Sequence, residues 1–123
     1  MRKQYFFRPS DRGLLAWDVD RLVRLSSAMP SQRVPLSHIR ELDRPWTGDQ
    51  ERPTWTEFIQ HMALVDAADL TYPIILSTTG EVMDGMHRVA KAVLEGRAEI
   101  DAVQFRQDPD PDYVGRAPDD LPY

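Results

Sequence analysis

The stretch Tyr72-Pro73-Ile74-Ile75-Leu76-Ser77-Thr78-Thr79-Gly80-Glu81-Val82-Met83-Asp84-Gly85-Met86-His87-Arg88-Val89-Ala90-Lys91-Ala92-Val93-Leu94-Glu95-Gly96 decides the fold. Residues 72–77 are a compact apolar run rich in β-branched side chains, Thr78-Thr79-Gly80 is turn chemistry, and Glu81 to Asp84 is a second short run, so the first half reads as a β-hairpin. From Gly85 the spacing becomes helical, with Met86, Val89, Ala90, Val93 and Leu94 expected inward and Gly96 at the position just past the helix end.

Outward from this hairpin and helix, Ile100 to Phe105 reads as a last strand. Upstream, Thr54-Trp55-Thr56-Glu57 has the form of a capping box, in which hydroxyl and carboxylate satisfy amides that a helix start leaves unpaired. It predicts a helix over 55–67 with Phe58, Ile59, Met62 and Val65 as its buried stripe. Another helix is expected over 18–28, capped by Asp18 and stopped before Pro30, with Val19, Leu22, Val23, Ser26 and Met29 on one face. Gln32 to Leu36 is extended and carries a proline, which restricts it to a sheet edge or strand end. Ser37 to Leu42 reads as a turn and residues 43–53 as a surface loop.

These elements make an α+β fold: one small domain over residues 1–106 with a helical N-terminal extension, a short mixed sheet and packed helices, followed by an acidic, proline-rich tail over 107–123. A chain of 123 residues suits one core rather than two. Cysteine is absent, which removes disulfides, thiolate metal sites and cysteine nucleophiles. The apolar run after Met1 stops within three residues and no other stretch suits a bilayer, so a soluble, unexported, cytoplasmic protein with no membrane partner is expected. The net charge of −5 is concentrated in the tail, where five Asp and one Arg lie between Gln107 and Tyr123. The rest is nearly neutral and lacks the cationic excess of a nucleic-acid module, so nucleic-acid binding is not expected through this chain alone.

One constellation carries chemistry. A strand turning through Asp84-Gly85 into a helix gathers unpaired backbone amides and the positive end of the helix dipole at one point. His87, Arg88 and Lys91 are spaced to cluster on the first turns. Gly85 would let a ligand's oxygens approach the backbone, and Arg88 could grip a phosphate with two parallel hydrogen bonds. The same residues have ordinary structural roles, Asp84 as an N-cap, Gly85 as a turn residue and Lys91 with Glu95 as an exposed pair, and spacing leaves both readings open.

The series Pro73-Ile74-Ile75-Leu76, Gly80-Glu81-Val82-Met83, Asp84-Gly85-Met86-His87-Arg88-Val89-Ala90-Lys91-Ala92 and Gly96 resembles the shared core of the ParB/sulfiredoxin-like superfamily, which includes ParB N-terminal domains, sulfiredoxins and free serine kinases. The resemblance spans about residues 33–105 and is most specific in Asp-Gly-x-His-Arg, as in the serine kinases. It implies a nucleotide-phosphate site at Gly85, His87 and Arg88, with a nucleoside triphosphate or diphosphate and magnesium as the implied cofactor; Met86 within the string and Lys91 by its spacing complete the candidate phosphate-binding residues. Sulfiredoxin chemistry needs a cysteine where Met86 stands, and the partitioning proteins continue into a helix-turn-helix region that this chain does not include. By similarity to the serine kinases, Glu41 is the candidate base, and Asp84 is a candidate for holding magnesium or activating a hydroxyl.

The leading expectation is a nucleotide- or phosphate-binding domain, its partner a nucleotide or other phosphorylated small molecule. The alternatives are a small nucleotide-dependent phosphotransferase or nucleotide hydrolase, and a non-catalytic interaction module. Other side chains read as structural: His61 has no metal-spaced partner, His38 is an exposed loop histidine, Trp46 and Trp55 anchor the 43–53 loop, and Asp110 and Asp112 form a solvated acidic strip.

Overall fold

The computed structural model describes residues 3–48 and 52–123. Part of the 43–53 loop therefore lies outside the described residues. The expected hairpin is present as β4 (Ile74–Leu76) and β5 (Val82–Asp84), which pair antiparallel. The chain crosses through α3 (Met86–Leu94) to β6 (Glu99–Gln104), which lies parallel to β4. β3 (Gln32–Pro35) pairs antiparallel with β6 and places Pro35 on an edge strand, completing a mixed sheet of order β3-β6-β4-β5.

Alternation along these strands divides the apolar side chains between two cores. Ile74, Leu76, Val82, Ile100 and Ala102 pack with Val89 and Ala92 of α3. Ile75, Met83, Val103 and Phe105 pack on the opposite face with Leu15, Trp17 and Leu22. Because both faces are covered, β4 is an unbroken apolar run rather than an alternating one.

The second core has a lid of its own. β1 (Tyr5–Arg8), β2 (Leu15–Asp18) and β7 (Tyr113–Val114) form an antiparallel sheet with β2 in the middle. The N-terminal extension is thus a hairpin followed by α1 (Val19–Ser26), not a helix alone. Its second strand escapes a periodicity reading because Leu15, Ala16 and Trp17 are all buried, which erases the alternation that marks a half-exposed strand. Asp18 does cap α1, accepting from the Asp20 amide at 2.9 Å.

The tail is an ordered clasp. The Trp17 indole donates to the Pro109 carbonyl at 2.7 Å, and Asp112 accepts from the Asp18 amide at 2.8 Å. Asp108 accepts from the Thr78 amide at 2.8 Å and pairs with Arg8, which also pairs with Glu81. Leu121 is buried and the Tyr5 hydroxyl bonds the Pro122 carbonyl. Asp112 is therefore an acceptor for backbone and for Arg21 rather than part of a solvated strip.

Two helical faces differ from expectation. α2 (Trp55–Ala67) starts as its capping residue requires, with Thr54 accepting from the Glu57 amide at 3.1 Å, yet it buries only Val65. Phe58, Ile59 and Met62 are exposed. In α3 the buried edge is Val89 and Ala92, which pack into the sheet core, while Val93 and Leu94 face outward. No helix of the described residues is long and apolar enough to cross a membrane.

Candidate functional site

α3 begins where β5 ends, and the joint is Gly85 in the left-handed region at φ +117°. A Cβ there would lie 2.6 Å from Ile74 Cγ2 and 3.2 Å from an Arg88 terminal nitrogen. The glycine therefore makes room for the protein's own Ile74 and Arg88, and it also borders a cavity beside the turn. No side chain caps the α3 start, since the residue in the cap position has none. The first-turn amides lack the side-chain oxygen that α1 and α2 each supply at theirs.

A cavity of about 800 Å³ opens beside this turn. Asp84, Gly85, His87 and Arg88 form its polar end. The remainder is largely apolar, with Val23 and Met29 from the α1 side, Leu64 from α2, Tyr72, Ile75 and Val103. Four of the seven residues singled out from sequence thus meet at one concave surface.

The guanidinium of Arg88 is already engaged. It donates to the carbonyls of Tyr72 at 3.1 Å and Pro73 at 2.6 Å, and pairs with Asp84 at 2.8 Å. Both groups of the pair are mostly buried, so Asp84 neutralises the charge that was expected to hold phosphate. Lys91 reaches away from the cavity and donates to the Asp66 and Ala68 carbonyls at 2.7 and 2.8 Å, closing the C-terminal end of α2, which has no basic residue in its own last turn. Met86 packs against the α3-side core. The expected cluster of three bases is dispersed because two of them find internal carbonyls.

Glu41, the candidate base, accepts from the Val82 amide at the far end of β5 and does not line the cavity. Its other carboxylate oxygen is buried without a hydrogen-bond partner among the described residues. No group of three His, Asp or Glu among the described residues is placed to hold a metal ion.

His87 is the cavity's remaining basic side chain, and Asp69 also lines the cavity, its carboxylate held below the usual range by the Thr71 amide and hydroxyl that donate to it. Burial lowers the His87 pKa from the ordinary 6.5, the neighbouring His61 lowers it further, and Asp84 opposes the shift. The imidazole is therefore neutral at pH 7, able to donate from one nitrogen and accept at the other. Its ring lies 5.0 Å from that of His61, which stacks on Trp46 at 4.3 Å. This column carries out the loop anchoring expected of Trp46, whereas Trp55 is largely exposed. The pairing of His61 with His87 and the walls from α1 were not foreseen, because both depend on how distant segments pack.

Comparison with protein-family models, with curated proteins and with solved structures finds no match to this chain.

Proposed function

We propose that the protein binds a nucleotide or another phosphorylated small molecule in this cavity, its phosphate end at the start of α3 and its organic body against the apolar walls. The observation that carries the reading is the coincidence of a cavity of about 800 Å³ with a first helical turn that no side chain caps. Unfilled amides and the positive dipole end favour an anion at that point. The cavity is in the size range of small-molecule sites, roughly 300–1,000 Å³. The resemblance of Asp84-Gly85-Met86-His87-Arg88 to a nucleotide-binding turn supports the same class of ligand, and a cytoplasmic nucleotide pool is the setting this reading implies.

With Arg88 balanced by Asp84 and Lys91 directed elsewhere, attraction rests on backbone amides and the neutral imidazole of His87, set against the Asp69 carboxylate on the cavity wall. One turn of amides serves one phosphoryl group, so a nucleoside monophosphate should bind nearly as well as the triphosphate. We do not extend the proposal to phosphoryl transfer, because Asp84 is committed to Arg88 and Glu41 to Val82.

A melting-shift screen with AMP, ADP, ATP, CTP, GTP and sulfate tests the reading. A ligand at about one hundred times its Kd stabilises the folded state by about 2.7 kcal/mol, a shift of several degrees. At least one nucleotide should produce it, with AMP close to ATP. An unchanged melting temperature across the panel would remove the proposal.

A further inference from the structure

The contact between α2 and α3 brings together two imidazoles whose polar atoms the fold does not employ. His61 comes from α2 and His87 from the first turn of α3, and their ring centres are 5.0 Å apart with the planes inclined at 59°. Neither ring makes a hydrogen bond among the described residues, so all the ring nitrogens are without a protein partner. Both residues are partly buried, and His87 lines the cavity. Polar atoms so placed are ordinarily paired, and two adjacent imidazoles that share no partner call for a reason.

Their placement is fixed from outside the pair. About one turn further along each helix, the Lys91 ammonium donates to the Asp66 and Ala68 carbonyls and ties α3 to the end of α2. Trp46 stacks on the His61 ring at 4.3 Å with the planes 24° apart, which supports that ring from one side. The last torsion of a histidine is broad and roughly two-fold, so each ring can present either nitrogen without moving its helix.

Two imidazoles at this spacing suit one borderline metal ion. A zinc–nitrogen bond of about 2.0–2.1 Å, with roughly 1.2 Å more from nitrogen to ring centre, puts two rings on a tetrahedral ion with centres about 5 Å apart. Imidazole is a ligand for zinc, nickel and copper, whereas magnesium and calcium take oxygen. No third protein ligand joins the pair among the described residues, which leaves the other positions to water. An imidazole that ligates through one nitrogen keeps the N–H of the other for donation.

We propose that His61 and His87 form a two-histidine site for a divalent transition-metal ion of the zinc class, its remaining positions taken by water. The site does not depend on a phosphorylated ligand in the cavity. Titration calorimetry of the full chain with zinc chloride at about pH 7.5, where histidine is neutral, should show one ion per chain with a Kd of about 100 µM or tighter. His61→Gln and His87→Gln should each weaken binding by about tenfold or more with unchanged circular dichroism, since neither imidazole holds a hydrogen bond in the fold. His38→Gln removes the third histidine of the chain and should bind as wild type does. Ligation by nitrogen also predicts an order, with nickel tighter than cobalt and cobalt tighter than manganese, and no competition from magnesium at about 10 mM. No saturable zinc binding up to about 1 mM would overturn the proposal, as would binding that survives either substitution, that is lost in His38→Gln, or that magnesium displaces.

Discussion

Arg88 joins three segments, the carbonyls of Tyr72 and Pro73 before β4, the Asp84 carboxylate at the end of β5, and its own helix. Arg88→Ala would leave two carbonyls and a mostly buried carboxylate without their donor, at a cost of about 2–4 kcal/mol. Urea denaturation measures this, and Arg88→Lys should recover only part of the loss, because an ammonium lacks the two-pronged guanidinium that reaches the two carbonyls from one nitrogen and the carboxylate from the other. His87 adds a pH dependence. Its folded pKa is below the unfolded value of 6.5, so the unfolded chain binds the extra proton first. Stability is unaffected well above pH 6.5 and falls as the pH drops below it, until the folded imidazole also titrates. Denaturation midpoints between about pH 7.5 and 5 should decline in wild type and decline less in His87→Gln. The pair of Asp84 with Arg88 joins the last residue of β5 to the first turn of α3 and is not legible in the sequence, where Asp84 reads as an N-cap. The carbonyls that complete the guanidinium's shell belong to a turn brought there by tertiary packing, which no local pattern reports.

At the level of elements, the β4 to α3 passage depends on Gly85. Gly85→Ala would combine a left-handed φ with a Cβ 2.6 Å from Ile74, and should destabilise by at least about 2 kcal/mol in chemical denaturation. This passage was legible because each part of it carries a local signal: the β-branched run, the Thr78-Thr79-Gly80 turn, the change of period at Gly85, and Gly96, which takes φ +72° as a helix-ending glycine does. The covered sides of α2 were not legible. Periodicity shows that Phe58, Ile59, Met62 and Val65 share a face, but not whether the same chain has anything to lay over it, and only Val65 finds a cover. Strand β2 was missed for the opposite reason, since burial of Leu15, Ala16 and Trp17 alike removed the polar half of the pattern.

For the molecule as a whole, the tail closes the second core. Removing residues 107–123 takes away the buried Leu121, the acceptor for Trp17 and the Asp108 and Asp112 anchors, and should lower stability by about 3 kcal/mol or more. Leu121→Ala alone should account for about 2 kcal/mol of this in the same denaturation experiment. Composition suggested only that the tail is acidic and poor in apolar residues; that its aspartates accept from backbone amides of Asp18 and Thr78 depends on the fold. The α1 side, the end of α2, the sheet and the α3 start together line the cavity on which the functional proposal depends. The most direct test is an amide chemical-shift titration of the full chain with AMP. The amides of Gly85, Met86 and His87 should move in a saturable way together with those of Tyr72 and Leu64 in the walls. Saturating shifts confined to other residues, or no shifts at all, would contradict a phosphate site at the start of α3.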